Sequence, residues 1–232
     1  MRLIHYMYRI LPLIIIMHIS ICFALSEQTT DDLGSIIKET YKYDITNTQM
    51  TFVLWVPNEF WGKFLSSLNL YNDSQIEEFI SVLDPYILIY ISDKKSAIGN
   101  KSDEYTSIEQ TKKNTLLIDK NGTEYKPIED ELISSNSKSF ISRMTQIFNP
   151  LKTLTDPYYP LFFPSKNKEG ERIADPNKKG VFKIKLYPNE VTWNLPLTSF
   201  LSPKICPVDG EKMNPEWEYC PWHGKKLLEQ EK

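Results

Sequence analysis

The sequence predicts an α+β fold: a single mixed domain of amphipathic helices and antiparallel hairpins over residues 27–204, followed by a small C-terminal module over 205–232. Three observations predict it. Residues 181–195 alternate strictly, with Phe182, Ile184 and Leu186 against Lys183 and Lys185, then Val191, Trp193 and Leu195 beyond Pro188-Asn189-Glu190. That is a hairpin with one buried and one wet face. Ile76, Phe79, Ile80 and Leu83 recur at helical spacing and form one apolar stripe. Two short runs, residues 51–56 and 86–91, have the length and the β-branched and aromatic content of buried strands.

Taken in order, residues 27–40 are polar and predict a loose lead-in. The strand at 51–56 is bounded by Pro57, and Asn58 is placed to cap a helix that buries Phe60, Trp61, Phe64, Leu65 and Leu68. Ser74 and Glu77 have the spacing of a capping box for the next helix, which Asp84-Pro85 stops. The run at 86–91 is apolar on both faces and so belongs in the middle of a sheet. Asn121-Gly122 suits the positive φ of a tight hairpin turn between 116–118 and 123–125. Residues 129–148 predict a helix with Phe140, Ile141, Met144, Ile147 and Phe148 on one face, ended by Asn149-Pro150. The proline- and aromatic-rich stretch 156–176 predicts a long irregular connection.

The chain begins with a targeting signature. Arg2, His5 and Arg9 precede an apolar run over residues 10–25, and Ala24-Leu25-Ser26 offers a small-x-small cleavage site. Residues 1–26 are accordingly expected to be a signal peptide, and the mature protein to be extracytoplasmic, periplasmic or secreted. The alternative is a membrane anchor formed by residues 10–25, although the run falls short of the roughly 20 apolar residues a span needs. Removing residues 1–26 takes away two arginines and no acid, moving the formal net charge from −3 to −5. An acidic chain without a basic run does not neutralise phosphates, which excludes nucleic acid as a partner. A protein or cell-envelope component is expected instead.

The same cut removes Cys22, His5 and His18. Cys206, Cys220 and His223 are then the whole stock of thiols and imidazoles. They lie in two copies of one phrase, Cys206-Pro207-Val208-Asp209-Gly210 and Cys220-Pro221-Trp222-His223-Gly224. Each copy has a thiol first, a proline second, a metal-ligating type fourth and a glycine fifth. The pair resembles the knuckles of a zinc ribbon, whose usual phrase is Cys-Pro-x-Cys-Gly, with Asp209 and His223 replacing the second cysteine of each. The resemblance covers only residues 206–224. It implies a structural Zn2+ held by Cys206, Asp209, Cys220 and His223 in a closed tetrahedral site, within a rigid module used for folding or docking.

Two alternatives stay open at the level of sequence. Asp209 equally suits the shaping of an Asp-Gly turn, and Cys206 and Cys220 can join as a disulfide in an oxidising compartment. A disulfide closing a loop of this length stabilises by roughly 3 kcal/mol, a structural zinc by on the order of 10 kcal/mol. The function expected is that of an exported binding or structural module. The competing reading is an extracytoplasmic hydrolase working through carboxylates such as Glu77-Glu78, Asp103-Glu104 or Glu129-Asp130-Glu131, none of which the sequence singles out as catalytic. Trp55, Trp61, Tyr158, Tyr159, Phe162, Phe163 and Trp193 have the spacing of core residues rather than of a ligand groove. Asn72, Asn100 and Asn121 stand in glycosylation sequons.

Overall fold

The computed structural model describes residues 27–46, 49–95, 104–147 and 157–229. The expected signal segment, residues 1–26, lies outside them, as do Asn100, Asp103 and Phe148.

The chain forms a mixed α+β fold of antiparallel sheets with helices. The first sheet joins β1 (Tyr41–Ile45), β2 (Gln49–Val56), β3 (Tyr86–Lys95) and β4 (Glu104–Tyr105), with β7 (Tyr159–Pro164) also on β3. All of its pairings are antiparallel. The second sheet runs β6 (Glu124–Tyr125), β5 (Thr115–Ile118), β8 (Gly180–Leu186), β9 (Asn189–Leu195), again antiparallel throughout.

Side chains alternate across a strand, and the first sheet uses both of its faces. Val53, Trp55, Ile87, Ile89, Ile91, Leu161 and Phe163 pack against Phe182, Ile184, Val191 and Trp193 of the second sheet. Leu54, Val56, Leu88, Tyr90 and Phe162 point the other way, into a cluster with the helices. Those helices are α1 (Glu27–Thr40), α2 (Asn58–Ser67), α3 (Asp73–Ser81) and α5 (Ser135–Ile147); α4 (Ile108–Asn114) leads into β5. The arrangement is therefore helices, sheet, sheet. The helix with Ile76 and the hairpin with Trp193 lie on opposite faces of the first sheet, in two cores rather than one.

Several sequence expectations are met. β3 is central, and its register on β2 runs from Gln49 opposite Lys95 to Val56 opposite Leu88. The 181–195 hairpin forms with one face buried, but its turn is Tyr187-Pro188, because Asn189 already pairs with Leu186.

Others are corrected. Residues 27–40 are helical: Leu33 and Ile36 are buried and Ile37 packs beside them, an i, i+3, i+4 stripe hidden among polar residues. Asn58 does not cap α2. Pro57 stands at that position with no side-chain bond, and Asn58 Nδ2 instead donates to Asp84 Oδ1 (3.2 Å). The capping box of α3 sits two residues earlier than expected: Gln75 N donates to Asn72 Oδ1 (2.9 Å) and Asn72 N to Gln75 Oε1 (3.0 Å). Asn121-Gly122 lies in a five-residue loop rather than a two-residue turn. Asp119 organises it, its Oδ1 accepting from the N–H groups of Asn121 and Thr123 and its Oδ2 from the Tyr125 hydroxyl.

The helix expected from residue 129 starts at Ser135, since residues 130–132 form a 3-10 turn. Ser134 Oγ accepts from Ser137 N (3.1 Å), so the serine run ends the turn and caps the helix. The stretch expected to be irregular contains β7. Its Pro160 and Pro164 are tolerated because β7 pairs with β3 alone, as prolines in an edge strand can.

Long-range polar contacts seat the second sheet on the N-terminal elements. Trp193 Nε1 donates to the Thr40 carbonyl (3.1 Å), and the Ser199 N–H and hydroxyl both donate to Glu39 Oε2 (3.2 and 2.9 Å). Buried Asp93 accepts from Gln49 Nε2 (2.8 Å), Thr51 Oγ1 (2.6 Å) and Thr106 Oγ1 (2.6 Å), and Asn189 Nδ2 reaches the Thr51 hydroxyl (2.8 Å). The carboxylate thus has a donor on each oxygen, which is what a buried charge requires.

Candidate metal centre

The two C-terminal phrases fold alike, residue for residue. The N–H of Cys206 donates to the Glu211 carbonyl and that of Gly210 to the Cys206 carbonyl. In the second copy Cys220 donates to Lys225 and Gly224 to Cys220. Both reversals pass through a left-handed glycine, Gly210 at φ 75° and Gly224 at φ 61°. β10 (Lys204–Ile205) and β11 (Lys212–Met213) pair antiparallel around the first turn, and Leu228 bonds back to Ile205 to bring in the second. Cys206, Met213, Cys220 and Leu227 form a small hydrophobic cluster of their own.

Cys206, Cys220 and His223 converge, with their ligand atoms all within 4.8 Å of one another. His223 Nδ1 lies 3.3 Å from the Cys206 sulfur and 3.5 Å from the Cys220 sulfur. Both cysteines are free and buried, whereas His223 is exposed. This set is compatible with a metal ion or, after movement of the sulfurs, a disulfide. Asp209 stands outside the three-residue cluster. Its Oδ1 accepts from the Glu211 N–H (3.0 Å), shaping the turn, while its Oδ2 lies 3.6 Å from His223 Nδ1.

Electrostatics separate the two thiols. Burial pushes the Cys206 thiol up despite backbone hydrogen bonds from Val208 and Asp209. Burial is the largest single effect on Cys220 too, but the backbone N–H groups of His223 and Trp222, together with the Cys206 thiol and the His223 side chain, outweigh it and hold that thiol below its ordinary value. Asp209 is held low by the Glu211 N–H, by the Cys206 thiol and by the imidazole.

Comparison with known proteins finds no matching family model, no matching curated protein and no matching solved structure. Local geometry therefore carries the assignment.

The other sequence candidates do not assemble into a site. Glu77, Glu78, Glu129, Asp130 and Glu131 are exposed, and Asp130 pairs with Lys112 (2.6 Å). Trp55, Trp61, Phe162, Phe163 and Trp193 are core residues. Asn72 is exposed but engaged in the α3 cap. The sequence reading missed the ion pair of Glu59 with Arg172, residues separated by 113 positions (2.7 Å). No local pattern marks it.

Proposed function

We propose that this chain is an exported binding or structural module, with an α+β domain over residues 27–204 and a zinc-held ribbon over 205–232, engaging a protein or other cell-envelope component outside the cytoplasm. The observation that carries the reading is the convergence of Cys206, Cys220 and His223 on two equivalent turns. The spacing supports zinc. A tetrahedral zinc with bonds of about 2.3 Å to sulfur and about 2.05 Å to nitrogen sets sulfur and nitrogen about 3.6 Å apart, and nitrogen and oxygen about 3.3 Å apart. The corresponding separations are 3.3 and 3.5 Å for sulfur to nitrogen and 3.6 Å for His223 Nδ1 to Asp209 Oδ2. Cys206, Cys220 and His223 thus supply three ligands, and Asp209, whose Oδ2 stands 3.6 Å from His223 Nδ1 but outside that cluster, completes the set by moving in toward the ion. Four protein ligands close the coordination shell, so the ion's role is to hold the fold. The exposed side chains Val208, Trp217, Tyr219 and Trp222 then sit on a rigid support.

Native mass spectrometry of the full chain tests this. One zinc per chain is expected, lost in Cys206→Ser and Cys220→Ser, weakened in His223→Ala and least affected in Asp209→Ala. A metal-free chain two mass units lighter than the dithiol form would instead establish a disulfide. N-terminal sequencing of the native protein tests export: a start near Glu27 is expected, and an intact Met1 in a membrane fraction would establish the anchor.

A further inference from the structure

A cavity of about 310 Å3 opens where β2 ends, α2 begins and β3 starts. Its walls are largely apolar, with Trp55, Ile80 and Ile87 among them. Four charged side chains line it, Glu59, Asp84, Lys166 and Arg172, so its formal charge is balanced. Glu59 and Arg172 are locked together (Oε1 to Nη1, 2.7 Å), and Asp175 stands 3.8 Å from the same Nη1. The opposite charges are therefore interleaved and do not form separate poles. That pattern suits neither an anion, a cation nor a zwitterion with distant ends.

What the cavity has in surplus is hydrogen-bonding capacity of both kinds. Glu59 Oε2 is buried and has no hydrogen-bond partner, so it gains a donor from a ligand once the side chain turns toward the cavity. Asp84 accepts from Asn58 through Oδ1 and pairs with no cation among the described residues. Arg172 has five N–H donors and places one on Glu59, and Lys166 pairs with no carboxylate among the described residues. A hydroxyl is the group that donates and accepts at once. Several hydroxyls on a compact frame match mixed acceptors and donors set over apolar walls. The volume is at the small end for ligand sites, which run from about 300 to 1,000 Å3, and so suits one ring rather than a chain.

We infer that this cavity binds a single polyhydroxylated ring, a sugar residue either free or at the end of a glycan, with Glu59 and Asp84 accepting from its hydroxyls and Arg172 and Lys166 donating to its oxygens. The site belongs to the α+β domain and does not depend on metal in the ribbon.

Saturation-transfer NMR on the full chain tests it with glucose, galactose, mannose and N-acetylglucosamine, each free and as the terminal residue of an oligosaccharide. At least one sugar is expected to receive transfer at millimolar concentration. Asp84→Asn, at an exposed position that is safe for folding, should weaken that binding about tenfold, the equivalent of one charge-assisted hydrogen bond. Glu59→Gln should weaken it at least as much, and Tyr187→Ser, on the distant exposed hairpin turn, should leave it unchanged. Transfer from the free sugar identifies a soluble ligand; transfer only from the oligosaccharide identifies a glycan end. Binding should survive in Cys206→Ser, so failure here and failure of the zinc reading are separable. No transfer from any of these sugars, equal binding by the Asp84 and Glu59 variants, or uptake of free glycine or lysine in their place would each overturn the inference.

Discussion

Replacing Trp193 by alanine is the sharpest probe of how the two sheets are held together. Trp193 is 1% exposed, lies parallel to Phe182 with ring centroids 4.8 Å apart, and meets Trp55 edge-on at 6.4 Å. Removing a buried tryptophan costs about 3–5 kcal/mol in lost transfer energy and cavity. The indole N–H also bonds the Thr40 carbonyl, and loss of such a bond contributes about 1 kcal/mol. With an m-value of about 2.5 kcal/mol per molar, a loss of about 4 kcal/mol moves the urea midpoint down by about 1.5 M. Trp193→Phe separates the two contributions: it keeps a ring against Phe182 and gives up the N–H and part of the volume, so about 1–2 kcal/mol is expected. Equilibrium urea unfolding followed by far-UV circular dichroism measures both. A Trp193→Ala loss below about 1 kcal/mol at unchanged m would refute the buried inter-sheet role.

Asp93→Ala strands the hydroxyls of Thr51 and Thr106 and the amide of Gln49, and more than about 2 kcal/mol of destabilisation is expected in the same urea experiment. Gly210→Ala and Gly224→Ala meet no atom within 4 Å at the added carbon, so only the left-handed backbone opposes them; each should cost about 1–2 kcal/mol, and, on the proposed zinc site, weaken metal retention in a chelator competition. The Tyr125 phenol is pushed up by burial and by its bond to Asp119. Because the folded state holds that proton more tightly, its contribution is complete below the ordinary tyrosine value and disappears as pH rises through the raised one. Tyr125→Phe should abolish that alkaline dependence of stability; an unchanged profile would show that Tyr125 is not its source.

Where the sequence was legible, a local pattern coincided with a tertiary one. The 181–195 hairpin alternates because one face meets the other sheet, and β3 is apolar throughout because it is covered on both. The metal-compatible cluster was legible because its phrases repeat and because the chain has so few soft ligands elsewhere. β7 was not legible: prolines usually exclude a strand, and only its edge position admits them. α1 was hidden because three apolar residues, Leu33, Ile36 and Ile37, suffice when a neighbouring core supplies the rest. The division into two cores also escaped, since periodicity says that a face is buried and not against what. Glu59 and Arg172 meet through tertiary folding alone.

The contacts that seat β9 on α1 also fix the order in which this chain can close. Trp193 reaches back 153 positions to Thr40, and Ser199 reaches 160 to Glu39. Closing a loop of that span costs about 4.5 kcal/mol of chain entropy beyond a constant, against about 2.5 kcal/mol for the 17 positions between Cys206 and His223. A chain emerging from its N-terminus therefore carries the apolar face of its first sheet uncovered until residues 180–195 are free to dock on it. The C-terminal pair of turns needs no such wait and can close among its own neighbours. Slow completion of the sandwich and rapid closure of the C-terminal turns are the two timescales that this topology builds in.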